Sequence, residues 1–167
     1  MVRFQRLTGC RPGELCLLRP MDVDRSQEVW RYRPVSHKTE HRDMERVVFI
    51  DPKAQDVLRA YLLRPTDAWC FSPAESEKHR REARHASRKT PTSCGNTAGS
   101  NRKSRPKRQA RDRYTNDSYK RAIQRGCEAA FGMSKELRYI SRKLPDEERR
   151  PSQKLAAQWR AEHCWSP

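Results

Sequence analysis

Thr8-Gly9-Cys10-Arg11-Pro12-Gly13-Glu14-Leu15 sets one arginine between two glycines, immediately ahead of a helix-forming run. Glycine tolerates φ > 0 and Pro12 presets the first helical turn, so the backbone is expected to bend on either side of Arg11. Such a bend points the planar guanidinium outward, at an anion. Glu14 follows three residues later, where a carboxylate suits the positive end of a helix and pairs back to Arg11 or to backbone amides. By itself the octet is equally a plain turn into a helix with a salt-bridged arginine. The flanking sequence separates the two readings.

Upstream, Val2, Phe4 and Leu7 have the spacing of the last turns of a helix, so the chain is expected to open mid-domain. Downstream, residues 13 to 18 form a short helix stopped by Pro20. Glu28 to Arg33 and Arg46 to Ile50 are β-branched and aromatic runs on either side of a polar connection, Ser36-His37-Lys38-Thr39-Glu40-His41-Arg42. This predicts a β-hairpin. Asp51-Pro52 is an N-cap followed by a first-turn proline, and Ala54, Val57, Leu58, Tyr61 and Leu62 then recur at helical spacing. Their apolar face predicts core packing. Trp69-Cys70-Phe71-Ser72-Pro73 leads out of that helix.

Composition changes after this point. From Ala74 to Tyr114 there are thirteen Lys or Arg against four Asp or Glu, so +9 of the net +16 lies in a quarter of the chain. Glu75 to Arg88 reads as a charged helix without an apolar face, and 89 to 113 as a disordered basic tract. Order is expected to return at Tyr114. Thr115 or Asn116 caps a helix on which Tyr119, Ala122, Ile123, Cys127 and Ala130 share a face. A weak helix over Lys135 to Lys143 is broken by Pro145, and Ser152 is expected to cap Gln153 to His163, burying Leu155, Ala156 and Trp159. The chain is thus divided into 1–73, the basic insertion 74–113, and 114–167.

The fold class expected is α+β: mainly helical with a small antiparallel β-sheet around one modest core. Hydrophobic residues are 34% and charged residues 35% of the 167, and the mean hydropathy is −1.14, which limits how much chain can pack. A pI near 10.2 points to a polyanionic partner, nucleic acid first. No run approaches a membrane span, and the N-terminus lacks a signal-peptide pattern, so a cytoplasmic protein is expected. Six cysteines occur without a Cys-x-x-Cys pair, and the histidines have no ligand spacing. Reduced, mostly buried thiols are the expectation, with no metal and no cofactor.

Four features taken in order, the Arg11 octet, the Lys38 hairpin, the Asp51-Pro52 helix and the Phe71-Ser72-Pro73 exit, resemble the catalytic domain of the tyrosine recombinase (phage integrase) family. The Tyr114-Thr115-Asn116-Asp117-Ser118-Tyr119 run resembles the planctomycete members. The resemblance covers about residues 1 to 72 and 114 to 167. It implies that Arg11 grips a scissile phosphate with Glu14 in support, and that Lys38 protonates the leaving 5′ oxygen. A lysine suits that task because its flexible stem carries a point charge able to surrender a proton. His37 and Arg42 beside it, and Arg102, Lys103, Arg105, Lys107 and Arg108 in the basic tract, are expected to contact DNA phosphates without reading sequence.

In that family a Trp-x-Pro like Trp165-Ser166-Pro167 precedes the His-x-x-Arg box and the nucleophilic tyrosine. The chain is expected to stop one step short, as a partial catalytic core that binds double-stranded DNA, and other integrase subunits, without cleaving it. His163 precedes the Trp-x-Pro and reads as a helix-terminal histidine. None of Tyr32, Tyr61, Tyr114, Tyr119 and Tyr139 follows a Trp-x-Pro and a His-x-x-Arg in that order, and a phenol of ordinary pKa near 10 is a poor nucleophile without that cationic setting. Two other functions compete. One is a non-catalytic nucleic-acid-binding or regulatory module; the other is a zinc-dependent DNA-binding domain.

Overall fold

A computed structural model describes residues 1–36, 45–91, 110–141 and 143–165. The first helix, α1 (Val2–Thr8), ends on Gly9 at φ 63, a left-handed cap whose N–H bonds Gln5 O at 2.8 Å. Arg11 is extended and α2 (Pro12–Cys16) starts directly behind it. Pro20 then opens a single 3₁₀ turn, Pro20–Asp22, that delivers the chain to a three-stranded sheet.

The sheet runs β1 (Val23–Asp24), β2 (Trp30–Tyr32), β3 (Val48–Ile50), all antiparallel. Trp30 pairs with Ile50 and Tyr32 with Val48. Side chains alternate as the pleat requires: Val48 and Ile50 are buried and Phe49 between them is exposed. The hairpin strands are shorter than the apolar runs that predict them, and β1 is an additional edge strand. Arg33 N bonds Asp22 O at 3.1 Å, which ties the exit of β2 to the 3₁₀ turn on the β1 side, and Pro34 has no N–H with which to continue the ladder.

Asp51 accepts the Ala54 N–H at 2.8 Å and so caps α3 (Pro52–Leu62). Ala54, Leu58 and Leu62 bury the expected face, while Tyr61 is more than a third exposed and packs its ring on Phe71, with centroids 4.8 Å apart. Ser72 caps α4 (Pro73–Ala86), which buries no side chain at all, as its charge pattern implies. Thr115 caps α5 (Asn116–Ala130) through a reciprocal exchange with Ser118.

Phe4, Leu15, Leu18, Tyr32, Ile50, Leu58 and Cys70 are fully buried and belong to one cluster that also takes in Tyr119 and Ile123 of α5. The helix that follows the basic stretch therefore closes on the same core as the helices that precede it. Truncating one of these large side chains, Leu58→Ala for instance, removes about 2–5 kcal/mol. On α5 the apolar stripe is narrower than its spacing predicts: Ala122 and Ala130 are exposed, and the buried position beyond Cys127 is Glu128.

The C-terminal third departs furthest from expectation. Among the described residues only one turn, α6 (Lys135–Arg138), forms between Lys135 and Lys143. α7 runs from Asp146 to His163 with Pro151 inside it, so Ser152 is not its cap. Asp146, Glu147 and Glu148 fill the first turn, where their charges oppose the positive end of the helix dipole and stabilise an earlier start. Ser152 instead donates its hydroxyl to Glu148 O at 3.0 Å. Of the three residues expected to be buried, Ala156 is, Trp159 is half-buried and Leu155 is exposed, with Arg160 of the same helix reaching Glu128 Oε1 at 2.7 Å. Val2 and Leu7 of α1 are likewise exposed, leaving Phe4 as that helix's apolar anchor. Among the described residues no helix is long and apolar enough to cross a membrane.

Candidate functional site

Arg11 is positioned by a turn whose polar groups are almost all used. Thr8 donates its hydroxyl to Phe4 O at 3.0 Å and accepts from Cys10 N at 3.4 Å. Gln5, itself buried, donates to Cys10 O at 3.0 Å and accepts from the Tyr119 hydroxyl at 2.8 Å. Of the two flanking glycines only Gly9 has a positive φ. Gly13 is an ordinary helical residue under Asn116, where an added Cβ would make normal contact at 3.5 Å, so the expected bend lies on one side of Arg11 only.

Glu14 is 2% exposed and its carboxylate accepts from three directions. Oε2 takes the Arg11 backbone N–H at 2.9 Å, the glutamate half of a capping box; a guanidinium has no acceptor to return the other half. Oε1 takes Arg11 Nη1 at 3.5 Å. Arg46, from the chain entering β3, adds Nε to Oε1 at 3.2 Å and Nη2 to Oε2 at 3.4 Å, a two-pronged contact. Behind them the Tyr32 hydroxyl donates to the Glu14 backbone carbonyl at 2.6 Å and joins the sheet to α2. A carboxylate this buried is tolerated because its lone pairs are met by charged donors.

One negative and two positive charges leave this cluster at +1. The guanidinium side chains are 45% and 33% exposed against 2% for the carboxylate. An anion arriving from solvent meets cationic edges first. Arg46 was not among the residues that the sequence singles out, and its only local signal is a place at the mouth of an apolar run. Its partner is 32 positions away.

Lys38, His37 and Arg42 lie outside the described residues, as do Arg102, Lys103, Arg105, Lys107 and Arg108. The sheet register brings the chain out at Tyr32 and back at Val48, so the flanks of the lysine connection leave and return at the end of the sheet that Tyr32 ties to α2. Glu45, next to Arg46, pairs with Arg33 Nε at 2.9 Å across this opening.

The tyrosines divide by burial. Tyr32 and Tyr119 are sequestered as donors to Glu14 O and Gln5 Oε1, and burial pushes both phenols above their ordinary ionisation range. Both are therefore poorer nucleophiles than a free phenol. Tyr139 is largely exposed. His163 ends α7, stacked on Trp159 with centroids 4.3 Å apart. Cys10, Cys16 and Cys70 are buried free thiols, and Cys127 and Cys164 are partly exposed; Cys94 lies outside the described residues. Among the described residues no group of three metal-binding side chains converges. A separate cavity of about 540 Å³, lined by Phe71, His79, Tyr114, Ile123 and Trp165 among others, shares no residue with the arginine cluster. No family model, no curated protein and no solved structure matches this chain.

Proposed function

We propose that this chain is a DNA-binding part of a tyrosine-recombinase-type catalytic domain, gripping a backbone phosphate through Arg11 and not cutting the strand by itself. The observation that carries the reading is the half-exposed Arg11 guanidinium held at the mouth of α2 by a buried Glu14. A planar fork fixed in this way gives two-point contact to phosphate oxygens at little cost in side-chain entropy. The order of sequence features around it and the net charge of +16 support the same partner. Lys38 would complete the site as the proton donor to a leaving oxygen. The sequestered phenols of Tyr32 and Tyr119 favour binding over covalent chemistry.

The test is duplex binding across a salt series with Arg11→Gln. Each lost phosphate contact lowers the slope of log K against log salt by about 0.9. The alternative, a non-catalytic module that holds DNA through its basic tract, predicts that Arg11→Gln is silent and that deletion of 102–113 abolishes binding. An unchanged slope in Arg11→Gln would give that alternative the better claim.

A further inference from the structure

We infer that Arg46 is a second phosphate-binding cation, closing with Arg11 on a single phosphodiester; this rests on the reading of Arg11 above. Two guanidiniums share one buried carboxylate. Arg11 Nη1 and Arg46 Nε both touch Glu14 Oε1, at 3.5 and 3.2 Å, so these nitrogens are no further apart than the two bonds laid end to end. Arg46 spends Nε and one Nη2 hydrogen on Glu14, which leaves both Nη1 hydrogens and one on Nη2 without an acceptor among the described residues. Arg11 spends one Nη1 hydrogen from its side chain. The carboxylate neutralises one cation of the pair and is shielded from solvent by both.

Glu14 therefore acts as a spacer between the two cations. Without it they would repel each other at this separation; with it they stand side by side, aimed by one rigid group on α2. That arrangement suits a tetrahedral oxyanion with two non-bridging oxygens better than a carboxylate, because each guanidinium takes one oxygen and the net +1 matches one phosphodiester charge. The competing account makes Arg46 a strut that merely holds Glu14 in place.

Duplex binding over a salt series separates the two with the variants R11Q, R46Q, R46K, E14Q and the E14Q/R46Q double substitution, each checked for folding by its circular-dichroism melt. The expected results are a slope lowered by about 0.9 in R46Q and retained in R46K, and tighter binding in E14Q that vanishes in the double substitution. A strut would leave the slope of R46Q unchanged, and the E14Q gain would persist without Arg46. If R46Q does not fold, E14Q decides on its own: unaltered affinity in it overturns the inference. A lowered slope in R11Q with none in R46Q overturns the role of Arg46 and leaves the Arg11 reading intact. No change in either overturns both.

Discussion

The Tyr119 hydroxyl donates to Gln5 Oε1 at 2.8 Å, joining residues 114 positions apart in a buried hydrogen bond. Gln5 uses its amide on Cys10 O, so a residue of α5 helps hold the turn that presents Arg11. Tyr119→Phe keeps the ring and strips the Gln5 oxygen of its donor, a loss of about 1–3 kcal/mol. Tyr32→Phe removes a shorter bond but does less damage. The Glu14 carbonyl that Tyr32 serves still accepts from Leu17 N at 3.1 Å, so about 0.5–1.5 kcal/mol is expected there. Urea midpoints of the two variants should rank in that order.

On α4 a pH response is expected at one carboxylate. Hydrogen bonds from Arg80 and then Arg81 hold Glu77 well below its usual 4.5, at about 2. A depressed folded value means that the contribution is complete above the ordinary range and is lost as pH falls toward 2. Helical ellipticity should therefore decline between about pH 4.5 and 2 in the native protein. The decline should be smaller in Glu77→Gln; equal declines would show that the i,i+3 and i,i+4 pairs contribute nothing to α4.

Thiol labelling should follow burial. Loss of hydration raises Cys16 to about 11 and Cys70 to about 12, so at pH 8 at most about one thiol in a thousand is ionised. Cys164 is also raised, first by burial and then by the Cys127 thiol beside it, yet both are partly exposed. In a Cys94→Ser background, iodoacetamide mass mapping is expected to find Cys127 and Cys164 modified before Cys10, Cys16 or Cys70. Early labelling of Cys16 or Cys70 in folded protein would contradict the packing.

No covalent 3′-phosphotyrosyl adduct should accumulate on a nicked suicide substrate. The phenols of Tyr32 and Tyr119 are engaged as buried donors, and none of the five tyrosines follows the Trp-x-Pro of residues 165–167. An adduct surviving a denaturing gel would mean that one of them is activated after all, and its removal by a single Tyr→Phe change would identify which.

Several features of this protein are legible in the chain itself because they are settled within a turn or two. Asp51-Pro52 and Thr115 cap the helices they precede, the 52–62 stripe faces the core, α4 has no apolar face and stays out of it, and Glu14 pairs with Arg11. Each depends on groups three or four residues apart, whose meeting the backbone geometry guarantees once the local conformation forms. The start of α7 is the exception. There Pro151 and Ser152 argue for a late beginning, while three acidic residues at 146 to 148 stabilise an earlier one.

What required the tertiary structure is every pairing between elements. Sheet register brings Arg46 to Glu14 and Tyr32 to the carbonyl behind it; packing of α5 on α2 brings Tyr119 within reach of Gln5; and the rotation of α7 buries Ala156, exposes Leu155 and sets Arg160 on Glu128. Residue order specifies which donors and acceptors exist. Which of them meet depends on how the shared core orients the helices and strands, a collective outcome of burying Phe4, Tyr32, Ile50, Leu58 and Tyr119 together that no window of neighbouring residues contains.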